Sequence, residues 1–166
     1  MPDAGDCLDP ITDQEKKDAK CVKLPTSVTG QNCVLNGMTR IVDDGGDPVK
    51  HPHFIDCESS QDFAAVPRAY MGCITATRGK TRGWWVTSRG RCLTIGEVLR
   101  FQGLDLRELN RRDIPDSEVG KMAGNAMSAN VLERVMTRAL YHASLTPKPL
   151  VDQWEDPSYA MANRFT

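Results

Sequence analysis

The sequence lacks the features that mark secreted, membrane-spanning and zinc-binding proteins. Its start, MPDAGDCLDP, has no apolar core like that of a signal peptide. No apolar run approaches the roughly 18 residues that a membrane-spanning helix needs. The six cysteines form no C-x-x-C pair, and His51 and His53 have no cysteine at a zinc-ligand spacing. We therefore expect a soluble, intracellular protein with reduced thiols and no structural metal, located in the nucleus if it is eukaryotic.

Charge is unevenly distributed along the chain, although the net charge is only −1. Residues 1–67 carry a formal charge of −6, residues 68–112 carry +7, and residues 113–166 carry −2. A basic middle between acidic flanks indicates a local anionic partner. The alternative is an Arg-rich loop that is simply solvated.

Changes of composition divide the chain into four segments. Residues 1–20 are polar and aperiodic, which predicts a mobile N-terminal arm. Residues 21–93 predict a β-rich region and residues 94–145 a helical segment. Residues 146–166 contain three prolines and predict an irregular tail. The fold class expected from this order is mixed α/β.

Short strands are expected within the β-rich region. The apolar runs CVKL, NCVLNG, TRIV and HFIDC are broken by three turn signals, Thr29-Gly30, Asn36-Gly37 and DDGGDP, and the last predicts an exposed turn at residues 43–48. Residues 69–93 have β-branched and aromatic residues bounded by glycines, which predicts a β-meander. In a strand, Trp84 and Trp85 would point to opposite faces.

Two short helices and one longer helix are expected after residue 93. Thr94 and Glu97 form a capping-box pattern, and Gly103 suits the position just after the end of that helix. Residues 114–123 predict a second helix with Asp116 or Ser117 as its N-cap.

The longer helix begins at Ser128 and carries one apolar stripe at helical period. By itself this stripe is explained by ordinary core packing. Its members are Val131, Leu132, Val135, Met136, Ala139 and Leu140.

Two ordered motifs resemble those of the C5-cytosine DNA methyltransferases. Residues 91–103, RCLTIGEVLRFQG, are similar to the ninth family motif, R-x-L-T-x-x-E-x-x-R-x-Q-G, at every fixed letter. Residues 123–128, AGNAMS, resemble the tenth motif, which is built around Gly-Asn-Ala/Ser. Upstream, CITATRG followed by GWWV resembles the end of the target-recognition region. The resemblance covers roughly residues 70–142.

The resemblance implies a fold, a reaction and a missing part. The fold would be a small β-rich target-recognition region followed by helices that complete an S-adenosylmethionine-dependent, Rossmann-like methyltransferase domain. The family transfers a methyl group from S-adenosylmethionine to cytosine C5, using a cysteine in a Pro-Cys-Gln loop. No cysteine follows a proline here, and the Glu-Asn-Val and Phe-x-Gly-x-Gly motifs are absent. No catalytic residue is therefore assigned, and activity would require a second polypeptide that carries these motifs.

A DNA-contacting segment is expected just before the ninth motif. Five basic residues and no acidic one lie between residues 78 and 91. Cations on glycine-broken loops can follow a phosphate backbone, and hydroxyl groups can add hydrogen bonds. The resemblance implies contact with double-stranded DNA, and the alternative is a hairpin with solvated arginines. The candidate residues are Thr75, Thr77, Arg78, Lys80 and Arg82.

The Gly-Asn motif is the candidate for methyl-donor binding. A Gly-Asn turn ahead of a helix would leave N–H groups free near the positive end of the helix dipole. The resemblance implies that Gly124, Asn125 and Ala126 reach the amino-acid end of S-adenosylmethionine, in a shared site that is weak in this chain alone. The alternative is a helix break capped by Asn125.

Structural roles are expected for the charged letters of the ninth motif. Glu97 and Arg100 can share a helix face and pair, and Arg91 could bridge that helix to the preceding strand. Thr94 would act as the helix cap.

The resemblance also changes the expectation for the last helix, because its family partner, the cofactor-binding sheet, is missing. The stripe from Val131 to Leu140 would be covered by a second polypeptide or a dimer, or would stay exposed. Two other functions stay open: a DNA-binding module without enzymatic activity, and a folded domain with an unrelated role.

Overall fold

The computed structural model describes residues 4–11, 22–60, 66, 70–152 and 155. Within these residues the chain is mixed α/β, as predicted, with helices around a small antiparallel sheet. The helices are α1 (Val28–Asp43), α2 (Ala76–Thr81), α3 (Ile95–Phe101), α4 (Asp116–Asn125) and α5 (Ala129–His142), and the strands are β1 (Phe54–Asp56), β2 (Trp84–Val86) and β3 (Arg91–Cys92).

The sheet has the order β1-β2-β3, and both of its faces are buried. Ile55 lies opposite Trp85, which in turn lies opposite Cys92. Because side chains alternate along a strand, Trp84 and Trp85 enter different hydrophobic clusters, as predicted. One face packs against α3 and α4, and the other packs against α1.

Helix α1 replaces the strands predicted at NCVLNG and TRIV, so those two predictions are wrong. The Ser27 side chain caps the helix by accepting a hydrogen bond of 3.1 Å from the backbone N–H of Gly30. The buried residues recur at helical period and face the sheet. They are Gly30, Cys33, Val34, Gly37 and Ile41. No strand forms at 22–24, whereas the strand predicted at HFIDC is confirmed.

The predicted β-meander is correct only for its second half. Helix α2 occupies residues 76–81, where a strand and linker were expected. Strands β2 and β3 follow, joined by a 3-10 turn over Thr87–Arg89. The turn predicted at residues 43–48 is present, although Pro48 is buried within it.

Helix α3 has both predicted ends. The capping box of Thr94 and Glu97 is formed at its start. At its end Gly103 has φ +74°, and its N–H donates to the carbonyl of Arg100 at 2.9 Å. The N–H of Leu104 donates to the carbonyl of Leu99 at 2.9 Å, which completes a Schellman motif.

Helices α4 and α5 lie where two helices were predicted, with two corrections. Pro115, rather than Asp116 or Ser117, is the N-cap of α4, and no side chain caps this end. Helix α5 begins after Ser128, as predicted, but none of its residues is buried. The apolar stripe of α5 is therefore largely exposed, so the core-packing interpretation is wrong. The described helices include none with the length and apolarity needed to cross a membrane.

Residues 7–9 are anchored to α3, unlike the mobile arm predicted for residues 1–20. Leu8 is buried in the cluster that contains α3. The Arg100 guanidinium donates to the carbonyl of Cys7 at 2.9 Å and pairs with the Asp9 carboxylate. Residues 1–3 and 12–20 lie outside the described residues.

Candidate functional site

Helix α2 and its ends hold all five residues predicted to contact DNA. Thr75 is the N-cap, and its hydroxyl accepts a hydrogen bond of 3.3 Å from the backbone N–H of Arg78. Thr77 and Lys80 are exposed on the helix, and Arg82 is exposed directly after it with φ 56°. The structure therefore brings these residues together, but it gives Thr75 a capping role.

Arg78 anchors α2 to the sheet, so it is not a free cation. Its Nε and Nη2 both donate to Oδ2 of the buried Asp56, at 3.0 and 2.6 Å. The hydrogen bond to Asp56 raises the pKa of the Arg78 guanidinium above its ordinary value. Removing either partner would leave the other charge unpaired and partly buried.

Lys80 and Arg82 are the cations that α2 presents to solvent. Neither forms an ion pair with another residue that the structure describes. Thr81, which lies between them in the sequence, donates a hydrogen bond from its hydroxyl to the Glu58 carboxylate. This places a negative charge close to both cations. The surface at this end of α2 therefore carries less positive charge than we expected from the number of basic residues in the sequence.

Glycines bring the backbones of α2 and α4 into direct contact. A Cβ atom on Gly120 would lie 2.0 Å from the carbonyl oxygen of Gly79. A Cβ atom on Gly124 would lie 2.2 Å from the carbonyl oxygen of Thr75. The predicted DNA segment and the predicted donor-binding motif therefore adjoin each other.

The Gly-Asn motif lies at the end of a helix, not in a turn before one. Gly124 and Asn125 are the last two residues of α4, and the N–H of Ala126 donates to the carbonyl of Ala123 at 3.2 Å. The physical reason given for donor binding is therefore wrong, since this is the negative end of a helix dipole. The carbonyl groups here attract positive charge, and Asn125 and Ala126 are exposed.

Gln102 holds the motif in place, a role that the sequence analysis did not assign. Its Nε2 donates to the carbonyl of Ala123 at 3.1 Å, and its Oε1 accepts from the Ser128 hydroxyl. Its own carbonyl accepts from the N–H of Ala129 at 2.8 Å. This buried side chain joins the end of α3 to both helices around the motif. The sequence signal that could have predicted this role is that Gln102 is one of the fixed letters of the ninth motif.

Glu97 is fully buried at the centre of the ninth-motif contacts. Its Oε2 accepts from Arg91 Nη1 at 2.9 Å and from the Thr94 N–H at 2.7 Å. Its Oε1 accepts from Arg91 Nη2 at 3.2 Å and from the Asp9 N–H at 3.0 Å. Arg91 and Thr94 thus have the structural contacts expected, but Arg100 pairs with Asp9 rather than with Glu97.

Three thiols, of which Cys33 and Cys57 are buried and Cys92 is half-buried, are poorly suited to act as nucleophiles. Burial raises the pKa of the Cys33 and Cys92 thiols, and it raises that of Cys57 to about 12. A nucleophilic cysteine reacts as the thiolate, which these environments disfavour.

Comparison of the chain with family models, with curated proteins and with solved structures gave no match.

Proposed function

We propose that this chain is the C-terminal portion of a C5-cytosine DNA methyltransferase. With a second polypeptide that supplies the catalytic half, it would transfer a methyl group from S-adenosylmethionine to cytosine C5. Helices α3 to α5 would then complete the Rossmann-like domain of the other polypeptide. The observation that carries this proposal is the contact of α2 with the end of α4, which places the cationic helix beside the Gly-Asn motif.

In this proposal the outer face of α2 binds the backbone of double-stranded DNA. The exposed side chains of Thr77, Lys80 and Arg82 would contact phosphates. Thr75 and Arg78 would act indirectly, because their side chains hold the helix in position.

Gly124, Asn125 and Ala126 would form one wall of the methyl-donor site. The carbonyl end of α4 suits the ammonium group of the amino-acid part of S-adenosylmethionine. The exposed Asn125 amide can both donate and accept hydrogen bonds. A single wall gives few contacts, so binding by this chain alone would be weak.

The catalytic half would cover the apolar stripe of α5. Val131, Leu132, Val135 and Met136 are all exposed, and such contiguous apolar surface marks an interaction site. In this proposal the thiolate would come from the Pro-Cys-Gln loop of the other polypeptide, and burial raises the pKa of the Cys33, Cys57 and Cys92 thiols of this chain.

A tritiated-methyl transfer assay tests the proposal. The purified chain alone should transfer no label to DNA, and adding a polypeptide with the Pro-Cys-Gln loop and the donor-binding motifs should restore transfer. The variant Val135→Lys should abolish complementation, whereas Val49→Lys, at an exposed position outside the helices, should not. Methylation by the chain alone would contradict the proposed division of the active site.

The alternative is a DNA-binding module without enzymatic activity, which the exposed Lys80 and Arg82 also favour. DNA binding should be salt-dependent, and the double variant Lys80→Ala/Arg82→Ala should reduce the slope of log K against log salt by about 1.8. Lys148→Ala, an exposed lysine in the tail, is the matched control. Normal DNA binding with no complementation would favour the module over the enzyme portion.

A further inference from the structure

Helix α1 has a second apolar face that the core does not use. Val28, Leu35 and Val42 are 72%, 66% and 59% exposed. They are spaced by seven residues, close to two helical turns, so they form one stripe. This outer stripe lies on the side of α1 opposite the buried residues, and no described residue covers it.

The surroundings of the outer stripe fit an apolar protein surface. Gln31, Asn32 and Thr39 lie beside it and are uncharged. A nucleic acid or an anionic lipid surface would need flanking cations, and α1 carries only one, Arg40, together with Asp43. A second amphipathic helix fits this stripe.

We propose that α1 pairs with α1 of a second copy of this chain, antiparallel and about a twofold axis at Leu35. Leu35 then contacts Leu35 of the second copy, and Val28 contacts Val42 at both ends. The equal spacing makes the outer stripe self-complementary, which a twofold interface requires. This interface goes beyond the proposed function and does not depend on it.

The charges at the two ends of α1 select the antiparallel orientation. The first turn has no acidic residue, whereas Asp43 ends the helix and Asp44 caps it. In the antiparallel pair these carboxylates lie near the other helix's N-terminus, where its dipole is positive. In a parallel pair the acidic ends would lie side by side and repel each other.

The stripe is short, so the association is expected to be weak. Small interfaces of this kind form transient dimers, with a dissociation constant on the order of 100 µM. Sedimentation equilibrium of the full chain, from about tenfold below to about tenfold above that value, should show a monomer–dimer equilibrium.

The variant Leu35→Lys places two like charges at the twofold axis and should weaken the dimer at least about tenfold. Val135→Lys makes the same kind of change on α5 and should leave the equilibrium unchanged. A wild-type chain that is monomeric throughout overturns the proposal. So does a Leu35→Lys variant that dimerises normally, or loss of the dimer in Val135→Lys.

Cysteine cross-linking tests the orientation. With Cys73 replaced by serine, Val28→Cys chains should form disulfides with Val42→Cys chains but not with one another. Cross-linking of Val28→Cys chains among themselves would show a parallel pair and refute the antiparallel dimer. The Cys73→Ser chain without new cysteines is the control for background reaction.

Discussion

Replacing Gly120 by alanine should destabilise the protein, although alanine is the better helix former. The added Cβ would lie 2.0 Å from the carbonyl oxygen of Gly79 and 2.7 Å from its carbonyl carbon. Contacts under 3.0 Å essentially never occur for real Cβ atoms. Both neighbours are backbone, so no side chain can rotate away, and α2 and α4 must separate by about 1 Å.

The size of the effect follows from two opposing contributions. Overpacking a buried contact costs typically about 1–3 kcal/mol, and this site belongs at the upper end because two helices must move. The same movement loosens the packing of Val119 and Ala123, which α4 contributes to the core. The higher helix propensity of alanine offsets about 1 kcal/mol. We expect a net loss of about 2 kcal/mol in the free energy of unfolding.

Urea unfolding followed by circular dichroism measures this loss, with Gly96→Ala as the matched control. Gly96 also lies in a helix, and the nearest atom to its Cβ would be Arg100 Nη1 at 3.6 Å, an ordinary contact. That variant should be as stable as the wild-type chain or more stable, by up to about 1 kcal/mol. If Gly120→Ala matched Gly96→Ala, the backbones of α2 and α4 could not be in contact.

Three further predictions concern buried and exposed ionisable groups. Glu97→Gln should lower the free energy of unfolding by about 3–5 kcal/mol, because the new amide group would face N–H donors and Arg91 would lose its charge partner. A decrease below about 1 kcal/mol, measured by urea unfolding, would refute this prediction. Arg107→Ala removes the ion pair of Arg107 with Asp105, and because the Arg107 side chain is 63% exposed, the urea midpoint of unfolding should stay at the wild-type value within error. The raised pKa of Cys57 means that the unfolded chain ionises this thiol from about 9.0, whereas the folded chain keeps it protonated up to about 12. The free energy of unfolding should therefore fall as pH rises through this window. Between about pH 8 and about pH 10.5 it should fall further for the wild-type chain than for Cys57→Ala. Equal decreases in the two chains would contradict the raised pKa of Cys57.

Local signals made α3 predictable from the sequence. The capping box of Thr94 and Glu97 and the glycine at 103 act within one turn of each end of the helix. The hydrogen bonds that they make are therefore the same in any fold that contains this segment. Helix α5 was predictable from a different signal, the apolar residues that recur at helical period from Val131 onward.

Helix α1 was not predictable from the same kind of signal. Asn36-Gly37 was interpreted as a turn, yet Gly37 lies inside the helix and faces Ile55 of β1. A Cβ atom there would lie 2.8 Å from Ile55 Cδ1, so the glycine makes room for a side chain distant in sequence. Tertiary packing of this kind overrides local turn propensity, and one sequence does not reveal it.

The charge of the candidate DNA surface was overestimated because a sequence shows cations without their partners. Arg78 pairs with Asp56, which lies on β1, and Arg91 pairs with Glu97. Arg89 donates to the carbonyl of Asp9 at 2.9 Å. Two of the five basic residues between positions 78 and 91, Lys80 and Arg82, are therefore left to face solvent without an ion pair to a described residue.

The fixed letters of the ninth motif are all buried or half-buried, whereas Asn125 and Ala126 of the tenth are exposed, and this separates the question of fold from the question of function. Glu97 and Gln102 satisfy their hydrogen bonds inside the chain, so they explain how α3 holds the helices around it. In the proposed function, binding of DNA and of the methyl donor would depend instead on exposed groups such as Lys80, Arg82 and Asn125. A substitution of Gln102 should therefore lower stability and donor binding together. In the same proposal, a substitution of Asn125 should lower donor binding alone, because its side chain is exposed and forms no hydrogen bond with a described residue.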